Sequence, residues 1–174
     1  MMFTLEALWA VLQRIRQCAH DGMASTPAGA PGRSCVVPGE IVWDDCTCGM
    51  LAVAWRVMGT GSAFPVIDAE NPQSNCSPRY MMVNLTIASL RCAASPDING
   101  NMPTCDALED DAFQMLSDSI AVRDMVTCCV RDLRDTYQIA EFAIGQTLPA
   151  GPEGACVGST LDLTLGFTRG DCCG

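Results

Sequence analysis

The sequence predicts an α+β fold: an antiparallel or mixed sheet with two amphipathic helices on one face, in the order helix, strands, long helix, terminal hairpin. Three observations lead there. Apolar residues recur at three- and four-residue spacing in two stretches, from Leu5 to Ile15 and from Leu108 to Leu133. Apolar residues recur at every second position in Met81, Val83, Leu85 and Ile87 and again in Leu161, Leu163, Leu165 and Phe167. Clusters of Gly, Pro, Asn and Asp separate these segments.

The chain of 174 residues fits one domain, 1–174. A chain of this size buries roughly 70% of its unfolded surface. Its 49% apolar content is enough for a core, and 17% charge is below the usual quarter. No apolar run approaches the ~20 residues of a membrane span, so no membrane partner is expected. Met1 to Leu8 has no basic n-region and contains Glu6, which argues against a secretory signal. The net charge of −10 speaks against gripping a nucleic-acid backbone. It is compatible with surrounding DNA, because acidic walls repel phosphate. All ten basic residues are Arg, which fits a GC-rich coding genome and also fits residues that make bidentate contacts at interfaces.

Thr4 is a suitable N-cap for a first helix reaching about Ala19. Leu5, Leu8, Trp9, Leu12 and Ile15 form its apolar face. Glu6 in the first turn and Arg14 and Arg16 in the last suit the helix dipole. Gly22 is expected to stop the helix, and residues 22–34 to form a flexible connector. Cys35 to Val37 leads through Pro38-Gly39 into a strand segment, Glu40 to Asp44, and Pro38 implies an edge or bulge position. A tight hairpin across Asp44-Asp45 to Gly49 then joins it to a strand from Met50 to Met58.

Residues 59–78 are the longest irregular stretch. A loop of that length in a compact domain is usually functional or unstructured. Phe64 and Ile67 are costly to leave in water, so they either meet a partner or fold back over their own core. Phe64, Pro65, Ile67 and Trp43 are therefore the candidate interface residues.

Tyr80 to Cys92 is the clearest strand, with Met81, Val83, Leu85 and Ile87 on one face and Asn84, Thr86 and Ala88 on the other. After a polar turn from Ser95 to Pro103, Thr104 caps a second helix to about Arg134. Its expected buried stripe is Leu108, Ala112, Met115, Leu116, Ile120, Val126, Cys129, Val130 and Leu133. Tyr137 to Thr147 and Val157 to Thr168 are two closing strands around a turn from Leu148 to Ala155, and 170–174 is a frayed tail.

Twelve cysteines are the oddest feature of the composition. The residues leave three readings open: small buried hydrophobes, a few disulfides formed in mature material, or a soft-metal site. No C-x-x-C pair is present, so zinc-ribbon and thioredoxin-type motifs are absent. Cys128 and Cys129 point to different sides of a helix and are poor partners for each other. The only imidazole, His20, falls at the end of the first helix, where a protonated ring complements the dipole. Nucleophilic catalysis would need it as a base.

There is no Walker A loop, no G-x-G-x-x-G, no H-E-x-x-H and no G-x-S-x-G. Asp44-Asp45 fits turn chemistry, and Glu109-Asp110-Asp111 fits the start of a helix. No enzyme activity, cofactor or metal is expected.

The segment Cys35-Val-Val-Pro-Gly-Glu-Ile-Val-Trp-Asp-Asp-Cys46, with the Met50 to Val57 strand, resembles the opening of small head-to-tail connector proteins of long-tailed phages of actinobacteria. Thr147-Leu-Pro-Ala-Gly-Pro-Glu-Gly-Ala-Cys156 and its closing strand resemble the end of the same proteins, and the element order resembles that of siphophage tail terminators. The resemblance implies a virion structural protein, assembled in the host cytoplasm and placed at the head–tail junction. It implies a homo-oligomeric ring, a hexamer by analogy, that caps the tail tube protein and docks on the head connector or stopper. DNA would pass through the lumen without specific binding. A different ring of the connector, such as a stopper or adaptor, is the alternative. A Cys-rich metal or redox module and a secreted disulfide-rich binding protein are the other two.

Overall fold

The computed structural model describes residues 4–41, 49–68, 80–96, 98–153 and 155–168. Two helices and five strands follow one another: α1 (Leu5–Met23), β1 (Arg33–Pro38), β2 (Met50–Gly61), β3 (Tyr80–Cys92), α2 (Cys105–Tyr137), β4 (Ile139–Glu153) and β5 (Cys156–Thr168). The fold is α+β with one mixed sheet, in the strand order β1-β2-β3-β5-β4.

Both helices begin as the sequence predicts. The Thr4 hydroxyl accepts the amide of Ala7, and the Thr104 hydroxyl accepts that of Ala107. Glu6 lies in the first turn of α1, where its own backbone N–H, and secondarily the Thr4 hydroxyl, holds its carboxyl below the usual carboxylate range. Helix α2 ends on Gln138 in the left-handed region at φ 55°, whose N–H returns to the Arg134 carbonyl.

Gly22 does not stop α1; it lies inside the last turn. A Cβ there would stand 2.6 Å from Met125 Cγ and 3.0 Å from the Ala121 carbonyl oxygen. The missing side chain lets the two helices approach closely, and that packing outweighs the weak helix propensity of glycine. Four residues nearer the N-terminus, Cys18 is disulfide-bonded to Cys129, so α1 runs antiparallel to the C-terminal half of α2. The connector that follows makes specific bonds: the Thr26 hydroxyl donates to Asp118 at 2.7 Å, and His20 Nε2 lies 3.2 Å from the Pro31 carbonyl.

Strands β1 and β2 pair in parallel, from Arg33 opposite Met50 to Pro38 opposite Trp55. The expected hairpin between them is therefore not formed. Leu51, Ala52, Val53 and Ala54 are all buried, the continuous pattern of a strand covered on both faces and flanked on both edges. Of the expected segment from Glu40 to Asp44, only Glu40 and Ile41 are described, and neither is in a strand. Pro38 is the last residue of the edge strand β1, a position where a missing N–H is tolerated.

The closing hairpin is longer than its turn residues suggest. Leu148, Pro149 and Ala150 are paired with Thr160, Ser159 and Gly158, and Glu153 with Cys156. Because β4 is an edge strand, it absorbs Pro149 and three register shifts. Pairing thus reaches Glu153 on one strand and Cys156 on the other, and Ala155 has φ 60°.

One continuous core holds the layers together. Leu51, Val53, Val83, Leu85, Ile87, Leu161, Leu163, Leu165 and Phe167 meet Val11, Leu12 and Ile15 of α1 and Val122, Val126, Val130 and Leu133 of α2. Each such side chain contributes roughly 1.5–3 kcal/mol on burial. The alternate residues of β3 and β5 make polar cross-strand pairs, Thr86 to Asp162 at 2.9 Å and Asn84 to Thr164 at 3.2 Å.

Candidate interaction surface

Helix α2 outruns α1. Its 33 residues against 19 correspond to about 50 Å against about 29 Å at 1.5 Å per residue. Since Gly22 already faces Ala121, the turns from Cys105 to Ile120 extend past the end of α1. The consequence falls on the predicted stripe. Leu108, Leu116 and Ile120, expected inside, are exposed by 51, 59 and 62%, and Phe113 beside them by 62%. In the half that α1 covers, the expectation holds for Val126, Cys129, Val130 and Leu133, and Val122 joins them.

Phe113, Leu116 and Ile120 recur at i, i+3 and i+7, so they share one side of the helix. Glu109 and Asp110 flank this stripe at its N-terminal end and Asp124 at the other. Between the stripe and β4 runs an open groove of about 420 Å³, with Leu116, Ile120 and Met115 on the helix side and Thr147 and Pro149 on the strand side. Its floor is polar but satisfied: Ser119 Oγ donates to the Met115 carbonyl and lies 2.7 Å from Ser159 Oγ, which is 3.2 Å from Ser89 Oγ. Arg123 closes one end, donating to the Gly145 carbonyl at 2.9 Å.

A second exposed apolar segment lies in β2. The register shifts between Trp55 and Val57, and this bulge leaves Arg56 without an opposite residue on β3. Trp55 and Met58 stand opposite Leu85 and Val83, whereas Val57 stands opposite Asn84, so the alternation flips across the bulge. All four residues from Trp55 to Met58 are exposed, and the β1 pairing of this edge ends at Trp55.

The residues singled out in the sequence are placed differently. Phe64 is half-buried: its ring meets Tyr80 edge-on at 6.3 Å and covers Gly166, where a Cβ would stand 2.8 Å from the ring. Ile67 is half-buried over Gly59, and Pro65 is exposed between them. Residues 59–61 of the expected loop belong to β2, and 62–68 turn back on the sheet. Trp43 lies outside the described residues, as do 69–79 and the 170–174 tail. The structure thus gathers Phe64 and Ile67 on one patch, and adds the α2 stripe and the β2 bulge. The signal for the stripe was in the sequence, in an apolar period continuing four turns beyond what a 19-residue partner helix covers.

Among the described residues no group of three or more His, Cys, Asp or Glu side chains is placed to hold a metal ion. Cys18 and Cys129 form a disulfide, Cys156 is disulfide-bonded as well, and Cys35, Cys105 and Cys128 keep their thiols. No helix among the described residues is long and apolar enough to cross a membrane. No protein-family model matches the chain, and no curated protein matches it in sequence.

Proposed function

We propose that the chain is a non-catalytic virion subunit, a tail terminator that forms a ring, of six copies by resemblance, at the head–tail junction of a long-tailed phage. The ring caps the tail tube and docks it to the head connector. The observation that carries this reading is the uncovered half of α2, whose Phe113, Leu116 and Ile120 are all more than half exposed. A lone domain gains nothing from wetting three large side chains in a row, whereas a subunit buries them against a neighbour. The net charge of −10 suits a channel that lets DNA slide. The element order, with the long second helix before a terminal hairpin, is the one the resemblance implies.

Native mass spectrometry of the full chain, followed by electron microscopy with purified tail tubes, tests the proposal. The expected result is a closed ring of uniform order that sits on one end of the tubes. A chain that stays monomeric at tens of micromolar and leaves tube ends bare overturns it.

A further inference from the structure

We infer that the uncovered stripe of α2 is the seat for the β2 bulge of a second copy of this chain, in a head-to-tail contact. The inference rests on the ring reading above and says which two surfaces make the ring. The stripe offers Phe113, Leu116 and Ile120 between carboxylates, Glu109 and Asp110 at one end and Asp124 at the other, where the neighbouring cation, Arg123, is turned to the Gly145 carbonyl. The bulge offers the inverse arrangement, Arg56 flanked by Trp55, Val57 and Met58. In a chain of net charge −10, two copies repel unless an arginine is brought to the acids, and Arg56 is exposed in the middle of an apolar segment. Trp and Arg together at the centre of a contact are the residue types that dominate binding energy.

Position supports the pairing. Strand β2 lies next to one edge of the sheet, and the groove beside α2 borders β4, the opposite edge. Along the strands, the α2 stripe is level with the Leu90–Cys92 end of β3, since Asp118 meets Arg91 and Asp111 accepts the Ala94 amide. Trp55 to Met58 stand opposite Leu85 to Val83, nearer the other end. One copy cannot bring its own two surfaces together. Pairing two unlike patches from opposite edges is heterologous, and such contacts close into rings or run on as filaments.

Complementation with surface variants tests the inference. Leu116→Asp disables the stripe and Met58→Asp the bulge; both positions are exposed, so the variants fold, which circular dichroism verifies. Each variant alone is expected to lose assembly, with self-association weakened at least about tenfold. Mixed, they have one intact pair of surfaces left, so a 1:1 heterodimer that grows no further is expected by native mass spectrometry. Arg56→Glu is expected to weaken assembly in the same way, and Arg56→Glu with Glu109→Arg to restore it. If the wild type forms rings and both aspartate variants still form them, these surfaces are not the contact, and the ring reading stands without them. If the variants fail alone and give no heterodimer when mixed, the pairing of stripe with bulge is wrong. A wild type that never associates removes both.

Discussion

Arg91 on β3 and Asp118 on α2 meet as a two-pronged ion pair, Nε to Oδ2 at 2.7 Å and Nη2 to Oδ1 at 3.2 Å, with the carboxylate 1% exposed. Asp118 also accepts the Thr26 hydroxyl, and Arg91 donates to the Gly29 carbonyl at 2.5 Å. Three segments converge on this pair: the α1–β1 connector at two points, the sheet and the long helix. It anchors α2 at the point where α1 ceases to support it. Removing one partner leaves the other charge buried, so Asp118→Ala is expected to cost about 3–5 kcal/mol in urea unfolding. A double change, Arg91→Met with Asp118→Leu, is expected to be less harmful than Asp118→Ala alone, because no uncompensated charge remains.

The α1–α2 crossing at Gly22 yields a second prediction. Met125 is a flexible side chain, but the Ala121 carbonyl at 3.0 Å is backbone and cannot yield. Gly22→Ala gains up to about 1 kcal/mol in helix propensity. Overpacking costs about 1–3 kcal/mol, so a net loss of roughly 1–2 kcal/mol in thermal or denaturant unfolding is expected. Adding Met125→Ala is expected to recover only a small part of the loss, since it clears the 2.6 Å clash with Cγ but leaves the Met125 Cβ position at 2.9 Å and the Ala121 carbonyl at 3.0 Å.

How much of this was legible in the sequence depends on range. Local chemistry was: both N-caps, the Tyr80–Cys92 strand to its ends, and the edge position of Pro38 follow from residues a few positions apart. What needed the whole chain was not. Gly22 looks like a helix stop until Ala121, 99 residues away in sequence, comes against it. The β1–β2 pair looks like a hairpin because turn residues separate the strands, yet the direction of pairing is set by the neighbours that β2 must satisfy on both edges. The apolar period of α2 picked out Val126, Cys129, Val130 and Leu133, which are buried. It could not say that α1 would cover only the second half, and so Leu108, Leu116 and Ile120 changed from core to surface. Phe64 and Ile67 were recognisable as side chains seeking cover, but not what would cover them.

The Cys18–Cys129 bond closes 111 residues of chain. A constraint of that span removes much of the unfolded ensemble's freedom, and native disulfides of this kind contribute typically 2–4 kcal/mol. Replacing both cysteines by alanine is expected to lower stability by about that amount, less whatever the apolar contacts of the two sites retain. Reductant should lower the wild type further than it lowers the double variant, because the wild type has the Cys18–Cys129 bond to lose while the bridge at Cys156 is common to both. In a native thiol titration, Cys128, which is exposed one residue from the bridge, should react while Cys129 does not.

Acid should release the turn that follows β2. The Asp68 carboxylate accepts the Ser62 amide at 2.7 Å and the Ser62 hydroxyl at 2.9 Å, while the Asp68 amide donates to the Thr60 carbonyl at 2.9 Å. The Ser62 amide first, and its hydroxyl second, hold the carboxyl below the usual aspartate value. For a carboxyl depressed in the folded state, the stabilisation is fully present above the unfolded pKa of about 3.9 and is lost as pH falls through the lowered folded value. The turn carries Phe64 to its place against Tyr80 and Gly166, so its release should also free that ring. The expected signature is a cooperative shift of the Ser62 amide resonance below pH 4, at the same midpoint as the Asp68 carboxyl titration, with a change in the Tyr80 ring signals. Asp68→Asn should abolish that pH dependence. If the Ser62 amide in the asparagine variant still titrates with the same midpoint, another group holds the turn.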